Sequence, residues 1–486
     1  MNARTDITLN EYRQGASGHA VVIGGSMAGL LAARVLADFF ERVTIIERDQ
    51  FPFGPVPRKG VPQAQHLHAL LPRGRVILEE LFPGLSEQLI AAGATVTDMA
   101  NDVAWRTPAG WGARFRSGVT LIPCSRDLLE WTVRRRVSAL PRVSFLEECD
   151  VTGLLPSGAG VAGVRIRHRS RAGGEGPIEN AIEADLVVDA SGRGSHAPQW
   201  LEALGYPRPQ ETVINSFLGY ASRVYERPAG SPSDWVGLFV QAAPPDVLRG
   251  GLVFPIEGNR WQLTLIGLGK DYPPADDAGF LDFARSLATS ELYDAVKGAT
   301  PISPIRVFRA TENRLRHYER LERMPEGFVV LGDGACAFNP VYGQGMSAAA
   351  VGALALARCV REQRKRQPGG DLRGLTRRFQ RALSKANAAP WMLSTGEDFR
   401  VRETVGATQP RITRLIHRYM DRVVSLSTRE PGVRMALLKV FSLLEPPSTL
   451  FRPWVVLRVL KEAFSRAPSQ KTPTPSGNLR RQVDTA

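Results

Sequence analysis

The chain has 486 residues, 43% hydrophobic and 23% charged, which excludes a disordered or fibrous protein and leaves room for two or three domains with a large core. Its 62 lysines and arginines against 48 acids give a formal charge of +14, a balance that attracts anions: an acidic carrier protein, nucleic acid, anionic lipid or a phosphorylated cofactor. The basic clusters (Arg364, Lys365 and Arg366; Arg377, Arg378 and Arg381) read as a solvated helix face, and no nucleic-acid-binding motif accompanies them, so nucleic acid is not expected as a partner. Cys124, Cys149, Cys336 and Cys359 are widely spaced, which suggests a reducing compartment without a disulfide framework. No secretory signal is read at the start, and no apolar run reaches the roughly 20 residues of a membrane span. A cytoplasmic protein is expected.

Residues 1–18 read as a flexible arm. At 20–23 an apolar run meets Gly24, Gly25, Ser26, Met27, Ala28 and Gly29; a helical pattern follows to about Ala37, and a second apolar run at 43–46 ends on Glu47. Strand, tight glycine turn, helix and parallel strand form the unit that binds an adenine dinucleotide. Gly24 permits the turn, and a small residue at Ser26 lets the backbone approach a pyrophosphate held on the helix N-terminus. Gly29 permits close helix–sheet packing, and Glu47 offers a carboxylate to ribose hydroxyls. The middle glycine of the motif is a serine here. The unit fits NAD and FAD alike.

A proline- and glycine-rich loop follows, carrying Arg58, Lys59, Gln63, His66 and His68; loops this long inside a compact domain are usually functional. The two histidines have no third clustered ligand, so no metal site is expected. A helical pattern covers 74–89, short strands with glycine turns cover 94–122, and Ser125 caps an amphipathic helix at 125–137 that opens with Arg126 and Asp127. Strands are expected near 143–146 and 163–168, a turn at 171–177, and a buried strand running into a glycine turn at 184–195. Residues 212–270 are strand-rich, with a hairpin at 250–269 turning on Glu257, Gly258 and Asn259. Residues 276–296 read as helical.

The second strong motif is VVLGDGACAFNPVYGQGMSAAA at 329–350. A strand ending at Leu331 delivers Asp333, placed to hydrogen-bond a polyol. The loop 339–345, with Gly343, can lie against a planar ring. The helix opening at Gly345 and Met346 would aim its positive end at an anion such as the N1–C2=O edge of a reduced flavin. NAD has neither ribitol nor that anion, so this motif selects FAD. Beyond about 372 the chain reads as helical, broken at Pro390. The stretch 435–460 reads as a helical pair on the core that could roof a greasy pocket or touch a membrane surface peripherally, and the final twenty residues as disordered.

The fold class expected is α/β: a Rossmann-like FAD-binding domain of the glutathione-reductase type, an inserted, mostly antiparallel β-sheet domain, and a C-terminal helical region. The FAD-binding domain is expected to be discontinuous, from 19–75, 120–200 and 321–371. Residues 76–119 and 201–320 make the substrate domain, 372–465 the helical region and 466–486 the disordered tail.

GGSMAG with Glu47, DASGRGS at 189–195 and the 329–350 motif resemble the class A flavoprotein monooxygenases, whose fold is that of para-hydroxybenzoate hydroxylase. FPFGPVPRKGVPQAQHLHALL, LFPGL, CSRDLLEWTVR and FNPVYGQGMSAAA are similar, more closely, to bacterial FAD-dependent epoxidases that act on polyene precursors of polyether ionophore antibiotics. The resemblance covers roughly 19–350. It implies that Glu47 binds the adenosine ribose, that Arg58 and Arg126 bind the pyrophosphate and nearby ribitol, and that Asp333 binds the ribitol, with Gly345 and Met346 offering N–H groups to the flavin. It associates Asp189, Gly192, Arg193 and Ser195 with contact to both FAD and NADPH, while Cys336, beside the flavin loop, reads as small buried filler. It further implies NADPH (or NADH) as transient reductant and O2 as co-substrate. A flavin C4a-hydroperoxide then carries the chemistry, and no side chain is nominated as catalytic. The implied substrate is a hydrophobic polyene or polyketide, which an acyl carrier protein could present. Phenol hydroxylation and double-bond reduction remain alternatives on the same scaffold, and a non-catalytic flavin-binding partner is a further one. The Trp-x-Trp-x-Ile-Pro motif of flavin halogenases is missing, which lowers halogenation.

Overall fold

The computed structural model describes residues 16–158, 160–169, 179–228, 234–409 and 411–465. The expected turn at 171–177, most of the N-terminal arm and the tail at 466–486 lie outside the described residues.

Five parallel strands make the central sheet, in the order Phe328–Val330, Leu186–Asp189, His19–Ile23, Arg42–Ile46 and Val143–Leu146. Their near-continuous apolar runs are what a parallel sheet covered on both faces requires. His19–Ile23, Leu186–Asp189 and Phe328–Val330 are buried throughout. Helices Met27–Leu36 and Gly345–Arg366 pack with this sheet, and Val164 and Ile166 of a three-stranded antiparallel sheet (Cys149–Ser157, Gly160–His168, Glu179–Glu183) share its core. Ile23 pairs with both Ile46 and Asp189, and Asp189 with Val330, so four strands end level. Gly24, Glu47, Ala190 and Leu331 therefore gather at one carboxyl edge, where open α/β sheets bind ligands.

A seven-stranded sheet lies in the order Arg306–Phe308, Gly219–Glu226, Arg260–Gly267, Arg249–Ile256, Gly237–Val240, Val103–Thr107, Gly110–Trp111. It is antiparallel except where Gly237–Val240 runs parallel to Val103–Thr107. The hairpin expected at 250–269 is Arg249–Ile256 with Arg260–Gly267; its turn holds Gly258 at φ 75° and Asn259 at φ 53°, the two residue types that best tolerate that region.

Four local expectations need correction. The helical pattern over 74–89 is two helices, Pro72–Leu81 and Leu85–Ala91, because Pro83 offers no N–H and Gly84 turns left-handed at φ 82°. The 276–296 segment likewise divides into Asp277–Arg285 and Glu291–Val296. Helix Leu375–Asp398 runs through Pro390 without breaking. The proline forfeits one helical bond, about 3 kcal/mol, and burial of Phe379, Leu383 and Pro390 itself holds the helix together. Nor is the region beyond 372 purely helical: Val405–Gly406 adds a strand to the sheet of Cys336–Ala337, Asn313–Arg316 and Glu211–Asn215. Helices Arg411–Ser427, Pro431–Phe441 and Pro453–Ser465 follow, around a separate core that includes Val423, Leu437 and Val455. No described helix is long and apolar enough to cross a membrane.

Candidate cofactor site

Sterics dictate the first glycine turn. Gly24 sits at φ 96°, and a Cβ there would stand 2.7 Å from the Ala190 carbonyl oxygen. A Cβ on Gly29 would stand 1.8 Å from the Gly24 carbonyl oxygen, so helix and turn touch only because that atom is missing. The first bond of helix Met27–Leu36 runs from Leu30 N–H to the Ser26 carbonyl at 2.9 Å. The N–H groups of Met27, Ala28 and Gly29 consequently have no partner within the helix. Ser26, the departure from glycine, is engaged: its hydroxyl donates to Glu130 Oε2 at 2.8 Å and accepts from Arg126 Nη2 at 2.9 Å. The serine ties the turn to a second helix.

That helix, Arg126–Ser138, is capped by Ser125, whose hydroxyl accepts from Leu128 N–H at 3.0 Å. A cation in the first turn opposes the helix dipole, and Arg126 is held there by Glu130, one turn on, at 2.7 Å. Glu130 also binds Arg58 at 2.9 Å, and Arg58 reaches Asp49 at 3.0 Å and Glu47 at 3.1 Å. None of these side chains is more than 10% exposed. Burial works against ionising Glu130, but Arg126 and Arg58 prevail and hold its carboxyl down at about 2. Burial likewise opposes the charge on Arg58, and Glu130 and Glu47 overcome it, so its pKa is raised. Glu47 accepts from Gly25 N–H at 2.8 Å and Asp49 N–H at 3.1 Å, so the acid expected on the ribose also shapes the turn. Two nitrogens stay unspent: Arg58 Nη2 and Arg126 Nη1 are buried without a hydrogen-bond partner. Buried donors of this kind are costly unless something fills them. Together with the open helix N–H groups they fit a pyrophosphate.

The second motif meets the first. Gly332 lies at φ 67°, and a Cβ on it would be 2.8 Å from Ala28 Cβ. Asp333 follows, with Oδ1 4.0 Å from the point where Gly345 would carry a Cβ and Oδ2 3.9 Å from Arg193 Nε. Its side chain is 41% accessible. Burial raises its pKa and Arg193 opposes the rise. Helix Gly345–Arg366 makes its first bond from Ala348 N–H to Gln344 O at 2.8 Å, and no side chain caps it. The N–H groups of Gly345, Met346 and Ser347 have no helical partner there either. Gly343, at φ 65°, turns the chain into this helix. Arg193 donates to the carbonyls of Glu312 at 2.8 Å and Phe338 at 2.5 Å, tying the 189–195 loop to the second motif. Asp189 is spent within its own loop, accepting from Ser191 N–H at 2.9 Å and from the Ser191 and Ser195 hydroxyls at 2.5 Å.

Sequence reasoning singled out neither Glu130 nor Asp398. The i,i+4 spacing of Arg126 and Glu130 could have revealed the first. Asp398 carries no local signal. It ends helix Leu375–Asp398, fully buried, and accepts from Asn313 Nδ2 at 2.6 Å, Asn339 Nδ2 at 2.9 Å and the Tyr342 hydroxyl at 3.1 Å. Burial pushes its carboxyl up to about 7 despite these donors. It therefore lies beneath the loop at 339–345.

The 51–71 loop docks on the seven-stranded sheet. His66 Nδ1 is 2.8 Å from the Ser222 hydroxyl, the Leu67 N–H donates to Thr264 Oγ1 at 3.1 Å, and Gln262 donates to the Gln65 carbonyl at 3.0 Å. Burial lowers both His66 and His68 to about 4, with Arg126 adding to the effect on His68, so both rings are neutral near pH 7. Tyr220, Phe239, Leu252, Ile266 and Phe308 of the sheet form one apolar cluster with Val341 of the 339–345 loop. Among the described residues no group of three or more His, Cys, Asp or Glu is suited to a metal ion.

No family model matches the chain. Its backbone resembles a flavin-dependent brominase, Bmp2 (TM-score 0.65, 15% identity, 93% of this chain and 100% of that one), and the flavin-dependent halogenase CmlS (0.60, 18%, 93% and 78%). It also resembles PqsL of Pseudomonas aeruginosa, described as a probable FAD-dependent monooxygenase (0.56, 16%, 79% and 94%). The fold is that of flavin-dependent monooxygenases and halogenases. Protein Rv3254 of Mycobacterium tuberculosis is 33% identical over 442 residues, 88% of this chain and 90% of that protein. The chain belongs to the same family as Protein Rv3254.

Proposed function

We propose that this protein is an FAD-dependent monooxygenase that uses NADPH or NADH and O2 to epoxidise alkenes of a hydrophobic polyene or polyketide. The observation that carries the reading is the contact of the two glycine turns at Ala28 and Gly332. The unpartnered Arg58 and Arg126 nitrogens beside the first turn, and Asp333 beside the open helix at Gly345, support it. Arg58, Arg126 and the N–H groups of Met27, Ala28 and Gly29 would hold the pyrophosphate, Glu47 the adenosine ribose and Asp333 the ribitol. Bound FAD would supply the reduction by NADPH and the activation of O2.

The chain's own residues then position and protect. The overall balance is alkene, O2, NADPH and a proton giving epoxide, water and NADP+, and the oxygen transfer asks for no nucleophile from the protein. It asks for a dry wall and a placed double bond. Tyr220, Phe239, Leu252 and Ile266 provide apolar surface that reaches Val341 on the loop at 339–345. His66, held neutral against Tyr220 and Phe308, adds no charge beside it.

Halogenation is the second reading, favoured by the names of several solved structures with this backbone and disfavoured by the missing Trp-x-Trp-x-Ile-Pro motif. One assay separates the readings. Purified holoenzyme with NADPH and a linear polyene should consume O2 and return product with one added oxygen. Product that forms only with bromide or chloride and carries the halogen would establish the halogenase, and saturation of the alkene without O2 uptake would establish a reductase.

A further inference from the structure

The C-terminal helices carry a feature that the cofactor site does not use. Helix Arg411–Ser427 buries Val423 and Leu426 at its end in the local core, but its first turns project beyond that core and leave Ile412 62% and Leu415 66% exposed. Helix Pro453–Ser465 buries Val455 and Val459 and turns Trp454, Leu457 and Leu460 outward, Leu457 at 65%. The first helix is tied to the short turn Pro447–Phe451 that leads into the second. Tyr419 stacks on Phe451 with ring centroids 4.8 Å apart and donates its hydroxyl to the Leu450 carbonyl at 2.6 Å. Leu415 lies one turn before Tyr419, and Trp454 lies in the first turn of the helix that follows Phe451 and Arg452. Exposed large apolar side chains thus lie on both helices close in sequence to one aromatic stack.

Charge accompanies this apolar face. Arg411, Arg414, Arg418 and Arg422 recur every three or four residues, so they form one row along the helix beside Ile412 and Leu415. All four are exposed, and none makes an ion pair among the described residues, whereas nearby Arg400 is matched by Asp421 at 2.9 Å. Surface apolar groups this large are seldom left together on a protein that works alone in water. An acidic protein partner would account for the arginines but not for Leu415 and Leu457 standing nearly free. An interfacial helix requires both: apolar side chains sunk into the acyl boundary, basic ones at the phosphates, and an aromatic residue between.

We infer that helices Arg411–Ser427 and Pro453–Ser465 form a docking face for the surface of an anionic lipid bilayer. The face brings the protein to a membrane as a peripheral binder, with Ile412, Leu415, Trp454 and Leu457 inserted and the arginine row on the headgroups. The inference stands on this surface alone, independently of what reaction the cofactor site performs.

The test is cosedimentation of flavin-loaded, full-length protein with extruded vesicles of equal phosphatidylglycerol and phosphatidylcholine, and with phosphatidylcholine alone. Binding to the anionic vesicles is expected, weakening as salt rises. Arg414→Gln with Arg418→Gln should lower the partition coefficient by roughly twenty-fivefold, about fivefold for each cation removed. Leu415→Asp with Leu457→Asp should abolish binding, with flavin content unchanged in both variants as the check on folding. Wild-type protein that stays in the supernatant overturns the inference. So does vesicle binding indifferent to these substitutions, or a dimer that Leu415→Asp dissociates while vesicles go unbound.

Discussion

Glu130 and Asp398 are buried carboxylates with opposite electrostatics. Glu130 faces two guanidinium groups and sits at about 2, while Asp398 meets only neutral donors and sits at about 7. Linkage turns this into opposite pH dependences. Glu130 is held below its ordinary 4.5, so its stabilisation is complete above that value and is lost as pH falls toward about 2. Asp398 is held above its ordinary 3.8. As pH rises from about 4 to about 7 the unfolded chain releases a proton that the folded protein keeps, so stability falls over that window and then levels. Asp398→Asn should therefore flatten the decline in melting temperature between about pH 5 and pH 7, read by thermal denaturation in matched ionic strength. An undiminished slope would place the titrating group elsewhere. These two residues also mark where sequence reading stops. Arg126 and Glu130 stand four apart, whereas Asp398 meets Asn339 across 59 positions and Asn313 across 85, a relation only the fold creates.

At the scale of elements, the opening strand–turn–helix–strand was legible because its steric demands are written in residue types. Gly24 and Gly29 have no space for a Cβ, and Gly332 has only the Ala28 methyl group above it. Gly29→Ala puts a methyl group against a backbone carbonyl, so the helix Met27–Leu36 must shift away from its turn. An overpacking cost of about 1–3 kcal/mol is expected, with several-fold weaker FAD binding, measured by denaturant titration and flavin fluorescence. The elements misread were those in which short-range punctuation and tertiary packing disagree. Pro83 and Gly84 divide a pattern that looks continuous, while Pro390 fails to break a helix held by its buried neighbours. The strand Cys149–Ser157 was missed, since its Gly153 and Pro156 hide the alternation.

At the scale of the molecule, four separated stretches meet: the first turn at 24–29, Glu47 with Arg58, the helix from Arg126, and the second motif from Gly332. The second motif was legible because it states a strand, an acid and an uncapped helix in order. Its contact with the first turn was not, because parallel-sheet order is not encoded between neighbours in sequence. The strand Phe328–Val330 enters the sheet beside Leu186–Asp189, and that placement alone brings Gly332 onto Ala28.

Together these four stretches would hold FAD. Titration of flavin-stripped protein with FAD, followed by quenching of flavin fluorescence, tests it directly, with Asp333→Ala beside the wild type. Saturable binding of one FAD per chain is expected of the wild type and at least tenfold weaker binding of Asp333→Ala, about 1.4 kcal/mol or more from lost ribitol hydrogen bonds. A wild-type protein that ignores FAD, or an Asp333→Ala variant that retains stoichiometric flavin, would contradict it.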